Sequence, residues 1–243
     1  MRAGLFVTCL VDLMRPRVGF AALRLLETAG CQVVVPHAQT CCGQPGYNSG
    51  DPRPAKALAL KMVREFADCE YVVAPSGSCA GMIREHYPRL FKDEPQQLEK
   101  VSELSRRTFE LTDFLVNVVK LEAIPNSFHG TITYHDSCSG LRELGVKKQP
   151  RLLLAKMPGV HLTEMPDCET CCGFGGTFSV KFGDISTRMA DNKCKAIQGS
   201  RADAVVLGDL GCMLNIEGRL RRTGDYKTQV LHVAEVLAGD GGD

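Results

Sequence analysis

Short apolar runs punctuate this chain, and between them apolar side chains return every three or four residues. The runs Gly4–Thr8, Cys31–Val35, Tyr71–Ala74, Thr131–Tyr134, His161–Glu164, Ala204–Leu207 and Thr228–Leu231 predict β-strands. The stretches between them predict helices. Arg17–Ala29 stops at Gly30, and Pro54–Ala67 opens with a proline, whose missing amide costs nothing in a first helical turn. Strand–helix alternation of this kind predicts an α/β fold with largely parallel sheets covered by helices. The stretch Pro125-Asn126-Ser127-Phe128-His129-Gly130 breaks the alternation. It divides the chain into two tandem pseudo-symmetric α/β units, residues 1–125 and 126–243.

A cysteine pattern marks the same division. Cys9…Cys41-Cys42-Gly43…Cys79 returns as Cys138…Cys171-Cys172-Gly173…Cys212. Between Cys9 and Cys41 lie 31 residues, against 32 between Cys138 and Cys171; between Cys42 and Cys79 lie 36, against 39 between Cys172 and Cys212. Eight cysteines so spaced make an internal repeat, and a repeated set of soft donors predicts two metal sites. On the predicted map Cys9 and Cys138 follow the first strand of each unit. The adjacent pairs lie in the loop after the second strand, and Cys79 and Cys212 follow the third. Open parallel sheets bind ligands at the carboxyl ends of their strands, so four thiols from three loops are expected at one edge of each unit. Gly43, Gly173, Gly175 and Gly176 are the expected cofactor-binding glycines, because glycine takes backbone angles that let amides approach anionic sulfur.

Composition narrows the chemistry. With 243 residues and 44% apolar side chains the chain can bury a sizeable core. Its 29 basic and 28 acidic side chains leave a formal charge of +1, without the field that gathers nucleic acid or an anionic membrane. No apolar run is long enough to span a bilayer. The opening segment, Met1 to Cys9, has too short an apolar core for a lipoprotein signal and reads as a first buried strand. The expected location is therefore cytoplasmic, where thiols stay reduced and twelve cysteines point to metal or redox chemistry rather than disulfides. Adjacent cysteines strain to form a disulfide but can serve one centre together.

Thiolate sets suit zinc or an iron-sulfur cluster and disfavour calcium and magnesium. Structural zinc usually draws on short Cys-x-x-Cys knuckles, and here only Cys168 and Cys171 form one. No Ser-His-Asp order, Walker loop or Gly-x-Gly-x-x-Gly opening a strand–helix unit occurs, so a nucleotide or flavin would be carried by a partner.

At these residues the chain resembles the cysteine-rich CCG domain family. Its members include the catalytic subunit of heterodisulfide reductase and iron-sulfur subunits of glycolate and glycerol-3-phosphate dehydrogenases. The segments Gln39-Thr40-Cys41-Cys42-Gly43-Gln44-Pro45, Pro75-Ser76-Gly77-Ser78-Cys79, Tyr134-His135-Asp136-Ser137-Cys138 and Cys171-Cys172-Gly173-Phe174-Gly175-Gly176-Thr177-Phe178-Ser179-Val180-Lys181 look like the lactate-utilisation branch of that family. That resemblance covers the whole chain. It implies an iron-sulfur electron-transfer subunit of a cytoplasmic three-protein system that oxidises L-lactate to pyruvate. It also implies one [4Fe-4S] cluster per half, with a ferredoxin-like iron-sulfur subunit and a third lactate-utilisation subunit as partners. The fullest family motif has a fifth cysteine per domain. This chain departs from it: Ser76 and Asp209 stand at those positions. The departure weighs against a non-cubane cluster and against the alternative of a disulfide or quinone reductase; both residues read as helix caps. Zinc holding together a scaffold of an oxidoreductase complex is the other alternative.

The remaining candidates have plainer readings. Cys31, Cys69 and Cys194 read as small apolar packing groups, and Cys168 as a structural thiol outside the ligand set. His37 and His135 flank the cysteine loops, where an imidazole can bond to cluster sulfur, though turn or packing roles are commoner. Arg142, Lys181, Arg219, Arg221 and Arg222 read as solvated helix faces more readily than as countercharge.

Overall fold

The computed structural model describes residues 1–240; the last three residues of the second unit, 241–243, lie outside the described residues. It contains two four-stranded sheets, parallel throughout. The first has the order β2-β1-β3-β4, with β1 at Arg2–Leu5, β2 at Gln32–Val34, β3 at Tyr71–Ala74 and β4 at Thr108–Glu110. The second repeats it as β6-β5-β7-β8, with β5 at Gly130–His135, β6 at Val160–Leu162, β7 at Ala204–Leu207 and β8 at Gln229–His232. The expected α/β architecture with two similar units is the one observed.

Differences from the sequence expectation lie at edges. β1 ends at Leu5 rather than Thr8, because Val7 leaves the ladder to donate to the side chain of Gln39, and Thr8 turns to open the helix Cys9–Met14. β6 covers Val160–Leu162 rather than His161–Glu164. β4 was not anticipated. It has three residues, pairs only with β3, and places Thr108 and Glu110 in buried positions, so it carries no apolar signature. The two anticipated helices are present, shifted by one or two residues, as Pro16–Thr28 and Pro52–Glu65. Asp51 caps the latter through the amide of Arg53.

Strand register aligns the two units residue by residue. Ala3, Gly4 and Leu5 pair with Tyr71, Val72 and Val73, while Ile132, Thr133 and Tyr134 pair with Ala204, Val205 and Val206. Phe6 therefore corresponds to His135, and Cys9 to Cys138. In the helices behind the cysteine loops the buried positions Ala55, Ala59, Met62 and Phe66 repeat as Ser186, Ala190, Lys193 and Ile197, with the same spacing of four, three and four.

The units do not bury separate cores. The segment after β4 (Leu111–Asp113 continuing through Phe114–Val118) packs on the helix Lys148–Leu154 of the second unit. In return the helix Val233–Leu237 after β8 packs on Pro16–Thr28 of the first. One apolar cluster consequently runs from Leu5, Val18 and Leu26 through Phe114 to Leu153, Val205 and Val236. A second, built on Phe6, Phe66, Tyr87 and Phe91, fills the other face of the first sheet.

A backbone contact closes the interface on the cysteine side. Helix Gly77–Gly81 meets helix Cys138–Leu144 so tightly that a Cβ on Gly77 would stand 2.9 Å from the Cα of Gly140. Ser76 and Asp209 are helix caps, as expected: Ser76 Oγ accepts from the Cys79 amide and Asp209 Oδ1 from the Gly211 amide. They also meet each other. Asp209 Oδ2 accepts from Ser76 Oγ at 3.2 Å and from the Ser78 amide at 2.8 Å, so one carboxylate caps helices of both units. Among the described residues no helix is long and apolar enough to cross a membrane.

Two consequences can be measured. A shared core predicts one unfolding transition, and Phe114→Ala, which empties a fully buried ring site, should lower stability by about 3–5 kcal/mol while leaving that transition single. Two resolved steps in denaturant would contradict the shared core. Asp209→Ala removes caps from two helices and should cost about 1–3 kcal/mol, more than Ser76→Ala at about 1 kcal/mol. The reverse order in chemical denaturation would contradict the bridging role.

Candidate metal centres

A sheet of order 2-1-3-4 changes winding direction between its first and third strands, and ligands bind at the carboxyl end of that switch point. Cys9 follows β1 and Cys79 follows β3, so these two thiols flank the switch point, and the loop after β2 brings Cys41 and Cys42 to them. Cys138, Cys212, Cys171 and Cys172 occupy the same places about β5, β7 and β6. All twelve cysteines are free thiols.

Within each set the thiols bond to one another. Cys42 Sγ lies 3.5 Å from Cys79 Sγ. Hydrogen bonds from the Cys42 and Cys9 thiols, helped by the Gly43 amide, draw Cys41 down to about 2. The bond to Cys41 pushes Cys9 up, and bonds to Cys41 and Cys79 with burial push Cys42 up. In the second set Cys138 and Cys172, with the Gly173 amide, draw Cys171 down to about 2. Cys138 and Cys172 are pushed up, first by their bonds to Cys171. The bond to Cys172 lowers Cys212, but burial together with the charges of Asp209 and Cys171 raises it on balance. In each set, then, the neighbouring thiols and a glycine amide favour the thiolate form of one cysteine, the form a soft cation binds.

The glycines have a specific task. Gly43 at φ +86° and Gly173 at φ +89° turn their amides back to the sulfurs of Cys41 and Cys171, each at 3.4 Å. A Cβ there would meet Ala55 Cα at 2.9 Å or the Ser186 carbonyl oxygen at 2.6 Å, so only glycine fits both angle and space. Gly175 and Gly176 also have positive φ and line the second site. Thr8, directly before Cys9, holds φ +75° without being glycine, whereas its counterpart Ser137 is relaxed at −67°. Strain of this kind persists only where surrounding contacts enforce it.

Each unit covers the other's sulfurs. A cavity of about 150 Å³ beside Cys9, Cys41, Cys42 and Cys79 is closed by Phe174 and Gly176 of the second unit. One of about 290 Å³ beside Cys138, Cys171, Cys172 and Cys212 is closed by Gln44, Tyr47 and His86 of the first. His86 bridges Tyr47 and Glu143 at 3.1 Å each. Asp209 lines both cavities. A more open hollow of about 470 Å³, which includes His37 and Asp12, adjoins Cys9 and Cys41 from outside.

The other expected residues fall as follows. Cys31, Cys69 and Cys194 are buried, and their thiols are raised, mainly by burial. Cys168 is raised first by burial and then by the charges of Asp136 and Glu164, and its carbonyl accepts from the Asp136 amide at 3.1 Å. Arg219 pairs with Asp191, and Arg221 with the carbonyls of Asp225 and Thr228, so neither faces the sulfurs. Arg142, Lys181 and Arg222 are exposed. His135 is fully buried, neither ring nitrogen has a partner, and it groups with the Cys172 and Cys212 sulfurs within 4.8 Å. Burial and the charge of Lys193 hold it neutral, at about 3.

Lys193 escaped the sequence reading. It lies on a helix rich in exposed polar residues, yet is only 2% exposed. Aligning the two units would have revealed it, because its counterpart is the buried Met62. Asn215 and Tyr87 were also missed; they donate to the carbonyls of Cys172 and Cys42, at 2.9 and 2.8 Å, and fix the two adjacent-cysteine loops. The donor set therefore suits a soft metal or an iron-sulfur centre: four thiols per unit, glycine amides aimed at sulfur, and an orphaned buried imidazole.

Known proteins share this pattern. The cysteine-rich domain family, CCG, matches residues 3–84 and again 132–217. Lactate utilization protein A of Geobacillus kaustophilus is 50% identical over 237 residues, covering 98% of both chains. The Bacillus subtilis protein of the same name is 48% identical over 98% of this chain and 99% of its own. Among solved structures, a hypothetical protein from Helicobacter pylori superposes with a TM-score of 0.70 at 12% identity, covering all of this chain and 49% of the other; at that identity it shows the fold alone. Matched in both halves by the family and over nearly its whole length by such relatives, the chain belongs to the CCG cysteine-rich domain family.

Proposed function

We propose that this chain is an iron-sulfur electron-transfer subunit of a complex that oxidises L-lactate to pyruvate. Each unit, 1–125 and 126–243, would hold one [4Fe-4S] cluster, on Cys9, Cys41, Cys42 and Cys79 and on Cys138, Cys171, Cys172 and Cys212. The observation that carries the reading is the convergence of four thiols from three loops at the switch point of each sheet. The lactate assignment draws on the printed name of the relatives. A ferredoxin-like iron-sulfur subunit and a third lactate-utilisation subunit are the proposed partners, in the cytoplasm.

Oxidising lactate to pyruvate releases two electrons and two protons, and a thiolate-bound cluster supplies one-electron acceptance and donation. The chain's own residues hold and tune. The cysteine thiolates bind; the Gly43 and Gly173 amides donate to sulfur and favour added negative charge. Phe174 on one side and Tyr47 on the other border the cavities between the units and narrow them. Ser76 and Asp209, engaged as caps, are occupied by amides, which weighs against the disulfide- or quinone-reductase alternative.

One observation favours the zinc-scaffold reading for the second unit: His135, Cys172 and Cys212 lie close enough to hold a single ion. Metal analysis separates the two. Protein purified without oxygen should contain about eight irons and eight acid-labile sulfides per chain; zinc at about two per chain with no sulfide would put the scaffold first. Cys42→Ser and Cys172→Ser should each lose about half of that iron and abolish lactate-dependent growth, and normal growth of both would refute the electron-transfer role.

A further inference from the structure

The two thiol sites share ligands and amides but not surroundings. Behind the first, the position after β1 is Phe6 and the inward helix position is Met62, both buried in an apolar cluster. Behind the second, strand register puts His135 at the place of Phe6, and the buried helical spacing puts Lys193 at the place of Met62. The Lys193 ammonium donates to the Asp167 carbonyl at 2.5 Å and the Cys168 carbonyl at 3.4 Å. Burial lowers the ammonium, while Cys168, Cys172, Asp167 and Cys212 favour its charge, and that charge acts in turn on His135. A lysine so buried is costly unless a compensating negative charge stands near it, and the structure offers no carboxylate partner to its ammonium among the described residues.

We infer that Lys193 and His135 make the second site the higher-potential centre of the pair, so that electrons within the chain run from the Cys9 site to the Cys138 site. The inference rests on the reading that both sites hold iron-sulfur clusters. Accepting an electron adds one negative charge to a centre that is already anionic. A buried cation and an N–H donor to sulfur both stabilise that added charge, and both raise the potential. Neutral His135 retains one N–H in either tautomer, and neither ring nitrogen has a well-formed hydrogen bond; the Cys168 carbonyl and the Cys172 and Cys212 sulfurs are the acceptors within its reach. Opposing charges do not reverse the order. Asp136, beside His135, is held by Arg151 at 2.8 and 2.9 Å; Asp167 acts on the Lys193 ammonium itself; and Asp209, which borders both cavities, acts on Cys138 and Cys212 but is already met by the Ser76 hydroxyl and the Ser78 and Gly211 amides. The Gly43 and Gly173 contacts, at 3.4 Å each, cancel in the comparison. Lys193 and His135 are positioning residues here: they set an equilibrium and take no part in bond making.

The test is a potentiometric titration followed by electron paramagnetic resonance on the full chain, loaded without oxygen, with iron and sulfide measured on the same sample. Wild-type protein should show two separated potentials. Lys193→Met and His135→Phe, which install the residues of the first site, should each lower only the higher one. For Lys193→Met the expected loss is about tenfold in the reduction equilibrium, or 59 mV for a one-electron couple. Lys193→Arg keeps the charge and should retain the wild-type value. Two indistinguishable wild-type potentials with full sulfide content overturn the inference while leaving the cluster reading intact, and need no variant to fold. A Lys193→Met shift confined to the lower potential, or none at all, does the same. Absence of sulfide overturns the cluster reading, and the inference with it.

Discussion

Four sulfurs can meet at one point only if the loops carrying them end at the same edge of the sheet, and parallel pairing imposes that condition. Every strand in both sheets points the same way as its neighbours. The loops after the first three strands of each unit therefore emerge together, and the change of winding between first and third leaves the gap that the thiols border. An antiparallel arrangement of the same segments would send alternate cysteines to opposite ends. The buried strands, the glycine turns at Gly43 and Gly173, and the caps at Ser76 and Asp209 all serve to keep that edge in place.

Duplication alone does not explain the molecule. Each unit lends its last helix to the other, so that one apolar cluster joins both, and Asp209 caps helices on either side of the divide. The sulfur sites are consequently closed by residues of the opposite unit. Neither cavity is closed in half a chain, so the surroundings of the thiols depend on the integrity of the interface. The interlock also places the two sites beside one another, with Gln44, Ser78 and Phe174 lining both cavities.

Divergence between the copies is concentrated behind the sulfurs rather than at them. The thiols, their loop positions and the amide contacts repeat from one half to the other, while Phe6 gives way to His135 and Met62 to Lys193. Exchanging two buried apolar side chains for an imidazole and an ammonium changes the local electrostatics while each loop keeps its thiols. Core positions tolerate such polar groups only when something nearby compensates them; Lys193 finds carbonyls, while the His135 ring lies beside the Cys172 and Cys212 sulfurs with neither nitrogen partnered.

The sequence by itself determined the α/β alternation, the repeat and the eight cysteines of the two sites, because hydrophobic period, turn residues and cysteine spacing are local properties. It also identified Ser76 and Asp209 as caps, since each precedes a helical segment. β4 was not legible: a three-residue edge strand with Thr108 and Glu110 facing the interior has no apolar pattern to read. Lys193 was not legible within its own mostly polar helix; its match to Met62 in the other unit is the one signal in the sequence, and packing shows that it points inward. The exchange of helices, the bridging by Asp209 and the closing of each cavity by the other unit are contacts between residues far apart in the chain, such as Ser76 with Asp209. Tertiary structure alone decided them, because no local propensity encodes which surface a helix will cover.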